Sequence, residues 1–181
     1  MHGKRITFLV ALALGLLAGS DAQVLSAQAP ARDGFFIGFG LGWGSFGVED
    51  AMEREAGGSG YFKIGYALSD KVLLGFESNG WAKGIRGHAV TAGTLGPVAY
   101  FYPDPEGGLF LKGGLGRAAV AVDAGRTGGV SESGFGLILG AGYDIGFGGR
   151  LGLTPYGTLV YGSFDGGSTS VLQLGLGVNW Y

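Results

Sequence analysis

From Gly34 to Gly44 the chain alternates almost without exception between bulky apolar residues and glycine. Phe35, Ile37, Phe39, Leu41 and Trp43 share one parity, and Gly38, Gly40, Gly42 and Gly44 share the other. A period of two belongs to an extended strand, whose side chains point to opposite faces in turn. Helix faces recur about every 3.6 residues and cannot use such a pattern. In a soluble antiparallel sheet one face is apolar and the other polar or charged. Here the second face is bare. That suits the inner wall of a narrow barrel, where interior positions must be small, with the bulky parity facing outward.

Composition narrows the alternatives. The chain holds 41 glycines among 181 residues, far above the average usage of about 7%. Collagen needs a period of three. Disorder needs a low apolar content, whereas 46% of this chain is hydrophobic and only 14% charged. The absence of cysteine excludes a disulfide framework, a thiolate metal site and a lipid-modified N-terminal cysteine. Two Met and two His offer little to a soft metal, so no cofactor and no metal are expected. A net charge of −2 gives no reason to expect nucleic acid.

The first 22 residues read as a signal peptide. His2, Lys4 and Arg5 form a basic start, Ile6 to Leu17 an apolar run, and Ser20-Asp21-Ala22 a cleavage site after Ala22. The alternative is a retained inner-membrane anchor, but the run falls short of the roughly 20 residues a spanning helix needs. Residues 23–33, polar and alanine-rich, are expected to be a flexible lead-in. No later stretch is long and apolar enough for a membrane helix, so a membrane-embedded mature chain must cross as strands.

Residues 34–181 divide into eight alternating segments. The second puts Phe62, Ile64, Tyr66 and Leu68 outward, and the third Val72, Leu74 and Phe76. For the fourth, about Ala89–Tyr102, the expected outward set is Val98, Tyr100 and Tyr102, with Pro97 blurring its upper half. The fifth carries Leu109, Leu111 and Leu115. The sixth carries Phe135, Leu137, Leu139, Ala141, Tyr143 and Ile145, and the seventh runs from Leu151 to about Ser163. The last sets Leu172, Leu174, Leu176, Val178 and Trp180 against inward Gln173, Gly175, Gly177 and Asn179. The fold expected is all-β: a closed antiparallel up-and-down transmembrane β-barrel of about eight strands.

An even strand number puts both termini on one side. Short turns are expected after the second, fourth and sixth segments. Longer polar loops are expected at about Val48–Gly60, Trp81–His88, Asp123–Ser133 and Phe164–Ser170. Outward aromatics form two belts, Trp43, Phe62 and Tyr161 at the loop end and Phe35, Tyr66, Tyr100, Tyr102, Tyr143 and Trp180 at the other.

With these segments placed, the chain resembles the small outer-membrane β-barrel proteins of the OmpA, OmpX and opacity-protein class. The export signal, the SDKVLLGFE hairpin, the YFYPDP turn, the GAGYDIGFGG segment and the C-terminal LGLGVNWY carry the resemblance. It implies residence in a Gram-negative outer membrane, contact with its lipid and lipopolysaccharide, export through the general secretory pathway, and a monomer. It also implies that Trp180 and Tyr181 form the C-terminal signal read by the barrel-assembly machinery. One departure is visible: the final aromatic of that pattern usually faces outward, whereas here Trp180 does and Tyr181 follows it.

Four charges fall on the inward parity: Lys63, Glu77, Lys112 and Asp144. Lys63 and Glu77 are expected to face each other across a hairpin, and Lys112 and Asp144 to lie on neighbouring strands. An unpaired buried charge is costly, so these residues are read as a lumenal ion-pair network that blocks a water column. The alternative is that all four are hydrated in a wet lumen. In the loops, Lys83, Arg86 and His88 are candidates to meet lipopolysaccharide phosphates, or are simply solvated. Enzymes on such barrels, the lipid A deacylases and palmitoyltransferases, need a His with a Ser nucleophile and a carboxylate. His88 has Val90 where the deacylase pattern has Ser, and Ser78 faces outward, so no catalysis is expected. The leading expectation is an envelope-integrity or surface-interaction protein. The alternatives are a narrow channel for small or apolar solutes, resembling OmpW, and a soluble carrier, which the inverted alternation disfavours.

Overall fold

The computed structural model describes residues 29–49, 53–85, 87–123 and 129–181. Its strands are β1 (Gly34–Val48), β2 (Glu55–Ala67), β3 (Val72–Ile85), β4 (His88–Phe101), β5 (Leu109–Asp123), β6 (Gly129–Tyr143), β7 (Ile145–Gly146), β8 (Leu151–Phe164) and β9 (Gly167–Trp180). Each strand pairs antiparallel with its neighbours, β6 also pairs with β8, and β1 pairs with both β2 and β9. The two-residue β7 continues β6 past a break at Asp144, so nine strands make eight staves of a closed ring. Closure removes the sheet edges that an open glycine-rich sheet would expose. The expected closed eight-stranded all-antiparallel barrel is what the chain forms.

Local chemistry sets the turns at the end where β1 begins and β9 finishes. Ser69 Oγ accepts from the Val72 amide at 3.1 Å, and Asp104 Oδ1 accepts from the Glu106 amide at 3.1 Å. The β7–β8 turn uses Gly148 and Gly149 at φ +101° and +63°, which a residue with a Cβ adopts only at a cost.

The inward parity is not empty. Gly40 and Gly177 leave the space that the Tyr61 ring fills, and Gly44 and Gly57 do so for Trp81. One inner layer, at the end where β1 begins and β9 finishes, comprises Phe36, Ala67, Leu73, Val98, Tyr100, Tyr102, Phe110, Ile138 and Tyr181. A second comprises Phe46, Trp81, Ala92, Val160 and Val171, where the Phe46 and Trp81 rings stack 4.9 Å apart. Along β3, Glu77 and Asn79 fall between Leu73 of the first layer and Trp81 of the second.

Outside, the large apolar residues are uncovered. Leu41, Trp43, Leu174 and Leu176 are each more than half exposed. Phe62, Ser78, Leu95, Arg117, Phe135 and Ser163 form one outward row across the register. One outward position nearer the hairpin tips, the β2–β6 arc shows only Gly60, Gly80, Gly93, Ala119 and Ser133. The bulky belt therefore ends on this arc at the row of Arg117, whose guanidinium bonds Ser133 Oγ at 2.8 Å.

Several expectations are corrected. Val98, Tyr100 and Tyr102 point inward and are buried, while Leu95 and Phe101 are exposed. The reason is chemical: Leu95, Pro97, Ala99 and Phe101 carry no polar side-chain atom, whereas the two tyrosines have hydroxyls that find carboxylates inside. The expected inner-end aromatic belt loses both. The β4–β5 ladder skips Gly96 and Pro97, as Pro97 has no N–H to give. The strands also run further than expected. β3 reaches Ile85 and β4 starts at His88, so Trp81 is a buried strand residue and not part of a loop. Within residues 23–33, the described part is no free lead-in: Pro30 and Arg32 are buried. The expected signal peptide and residues 23–28 lie outside the described residues.

Candidate functional site

The charged residues of the inward parity form two clusters, and the partners differ from those expected. Lys63 does lie opposite Glu77 in the β2–β3 register. Its ammonium, however, sits among rings, 4.7 Å from the centre of Tyr100 and 5.4 to 5.9 Å from those of Phe110, Phe36, Tyr181 and Tyr61. The ion pair goes to Lys112 instead, with Nζ 2.5 Å from Glu77 Oε1 and both side chains almost wholly buried. The Tyr100 hydroxyl donates to the other carboxylate oxygen, and Asn79 Nδ2 donates to Oε1 at 2.8 Å. The register explains the exchange. Lys112 faces Tyr100 across β4–β5, two strands from Glu77, and its long stem crosses the narrow lumen where Lys63 meets a wall of rings. Aromatic faces attract a desolvated cation, so Lys63 is held without a carboxylate in contact.

Asp144 heads the second cluster. It sits in the break between β6 and β7, where its amide donates to Gly108 O at 2.8 Å. Its side chain keeps the inward parity of β6 and is fully buried in the lumen. Oδ2 accepts from the Tyr102 and Tyr181 hydroxyls at 2.8 and 2.5 Å, and Oδ1 from Thr154 Oγ1 and Asn179 Nδ2 at 2.5 and 3.2 Å. Neutral donors thus surround a fully buried carboxylate, and Lys112 is not among them. Asn179 Oδ1 in turn meets the Tyr61 hydroxyl at 3.4 Å. Five staves converge here, contributing Tyr61, Tyr102, Asp144, Thr154, and Asn179 with Tyr181.

The C-terminal aromatics divide their tasks. Trp180 is outward and half-exposed beneath the Arg150 guanidinium, 4.6 Å from its ring centre. Tyr181 is fully buried and points inward. The loop candidates also separate. Lys83 lies in β3 and pairs with Glu55, His88 is exposed at the tip of the β3–β4 hairpin, and Arg86 lies outside the described residues. Ser78 faces outward, opposite Phe62 and Leu95 and well below that tip. The sequence reading passed over Tyr100, Tyr102, Thr154 and Asn179 as partners. A signal for the tyrosines existed from Leu95 to Tyr102, where only one of the two apolar parities carries hydroxyls.

No group of three or more metal-ligating side chains occurs among the described residues. The arrangement of these buried side chains can fill and cross-link a lumen.

No protein-family model and no curated protein sequence matches the chain. Solved structures do. The chain is similar to the attachment invasion locus protein Ail of Yersinia pestis in complex with the heparin analogue sucrose octasulfate, at 12% identity and a TM-score of 0.64, over 82% of this chain and 100% of that one. It is similar to Neisserial surface protein A at 16% identity and 0.63, over 83% and 98% of the two chains. The N-terminal β-barrel domain of Pseudomonas aeruginosa OprF follows at 16% and 0.52, over 83% and 98%. The chain therefore has the fold of the small eight-stranded outer-membrane β-barrels.

Proposed function

We propose that this chain is an integral outer-membrane protein whose lumen is closed and whose work is done at its outer surface, in envelope integrity or in contact with other surfaces. The observation that carries this reading is the inversion of ordinary burial. Lys63, Glu77, Lys112 and Asp144 are buried, while Leu41, Trp43, Phe76 and Leu174 are exposed. In water that arrangement would be expensive on both counts. In a bilayer the outward belt is solvated by lipid and the closed ring leaves no open sheet edge facing it. The Lys112–Glu77 pair, set between two layers of large side chains, supports a filled lumen over a conducting one. Among the solved relatives by fold, one is an attachment protein and another a surface protein, in keeping with work at the outer rim.

On this reading the end where β1 begins and β9 finishes is periplasmic and the tips of the opposite hairpins are extracellular. Lipid and lipopolysaccharide surround the belt, the assembly machinery reads the C-terminal strand, the barrel is a monomer, and it is not an enzyme. Lys83 is already engaged by Glu55, which leaves His88 as the described loop candidate for lipopolysaccharide phosphate. Membrane fractionation combined with denaturing gels of unheated and boiled samples tests the reading. Recovery with the outer membrane and a mobility shift on boiling are expected. A band that does not shift, or recovery in the soluble periplasmic fraction, would overturn it.

A further inference from the structure

We infer that residues 30–33 are a strap that seals the periplasmic mouth of the barrel, with Arg32 as its bolt. The inference rests on the reading of the lumen as closed and names what closes one end of it. β1 and the β4–β5 turn stand on opposite sides of the eight-stave ring, β5 being four staves from β1 in either direction. Arg32 spans that gap: its Nη2 donates to Pro105 O at 2.6 Å and to Gly107 O at 2.8 Å, both in the β4–β5 turn. Its guanidinium lies 3.9 Å from the centre of the Tyr102 ring, the same tyrosine that donates to Asp144. The strap is also fixed at its flanks. The Ala31 amide donates to Gly149 O at 3.1 Å in the β7–β8 turn, and Arg150 Nη2 donates to Asp33 O and Phe35 O. Pro30 is buried and packs over Gly152, where an added Cβ would come within 3.2 Å of its ring. An arginine suits the task because one amino group of its planar fork, Nη2, serves both carbonyls while its face covers a ring.

The chain has no cysteine, so single cysteines report access cleanly. Ala67 faces inward in the layer beneath the strap, and Ala92 faces inward in the far layer. Ala67→Cys and Ala92→Cys are each introduced into the full chain and into Arg32→Ala, and the rate of reaction with a water-soluble maleimide is measured on the folded, heat-modifiable barrel. Losing the fork is expected to raise the rate at position 67 about tenfold, the factor that corresponds to about 1.4 kcal/mol. The rate at position 92 stays unchanged. Equal rates at position 67 in both backgrounds would overturn the strap, and so would a joint rise at both positions. Should Ala67→Cys fail to fold, amide hydrogen exchange on the unaltered chain decides: the Ala31 amide is expected to be protected, and exchange at the rate of a free peptide overturns the inference. Conductance of the unaltered barrel tests the closed lumen separately.

Discussion

Replacing Glu77 by alanine gives the sharpest energetic test of the lumen. The carboxylate accepts from Lys112 Nζ at 2.5 Å, from Asn79 Nδ2 at 2.8 Å and from the Tyr100 hydroxyl, with its side chain fully buried. Its removal strands the Lys112 ammonium, which is also buried, together with two neutral donors. Breaking a buried pair from one side costs about 3–5 kcal/mol, because the remaining charge keeps its desolvation penalty without its partner. A pair screened by water would be worth at most about 1 kcal/mol. The two cases are far enough apart to separate. Urea titration of the barrel refolded into lipid vesicles, followed by tryptophan fluorescence and by the gel shift, gives the loss directly. Adding Lys112→Met to Glu77→Ala removes the stranded charge and is expected to restore part of that loss, so that the two changes are strongly non-additive. A cost for Glu77→Ala below about 1 kcal/mol, or simple additivity, would refute the account of a dry ion pair and favour a hydrated lumen.

Three further outcomes follow from packing and from the belt. Gly40→Ala places a Cβ 2.4 Å from Tyr61 Cε1 and 2.8 Å from Tyr156 Cε1; overpacking of this kind is expected to cost about 1–3 kcal/mol in the same titration. Leu139→Arg puts a charge in the outward apolar belt and is expected to cost about 2–4 kcal/mol, whereas Arg117→Leu, at the belt's edge, changes stability by under about 1 kcal/mol. Equal costs would mean that the belt does not end where the row of Arg117 lies. Tyr181→Phe keeps the ring but removes a donor to Asp144 and is expected to cost about 1–3 kcal/mol, without lowering the yield of assembled barrel. Trp180→Ala is the change expected to lower that yield. A reversed pair of effects, read by quantifying outer-membrane protein in cells, would assign the assembly signal to the inward tyrosine.

Much of this fold could be read from parity alone. The first, second, third, fifth, sixth and last segments face as their alternation requires, with the run of large apolar residues outward and separate large residues such as Phe36, Leu73, Phe110 and Ile138 on the inward parity. The fourth offers two such runs, and hydropathy cannot choose between Leu95, Pro97, Ala99 and Phe101 on one side and Val98, Tyr100 and Tyr102 on the other. The choice was made by the carboxylates of Glu77 and Asp144, which lie on other strands and enter only when the ring closes. The same non-locality governs the charges. Sequence spacing brings Lys63 opposite Glu77, yet the partner of Glu77 is Lys112, which reaches it across the lumen. The reach of Arg32 to the far rim was likewise hidden, since a polar, alanine-rich stretch carries no signal of where its one long side chain will land. Loop lengths were overestimated for a simpler reason. Gly58, Ala82, Ser131 and Ser133 look like loop residues by composition, but in a barrel wall that rises past the apolar belt they are ordinary outward strand positions.

Conductance across a planar bilayer tests the central claim most directly. With Glu77 and Lys112 paired between two layers of large side chains and Arg32 across the periplasmic mouth, the purified, folded barrel is expected to add no reproducible current steps over the bare membrane. Discrete, reproducible openings by the unaltered protein would contradict a closed lumen and turn the chain into a channel.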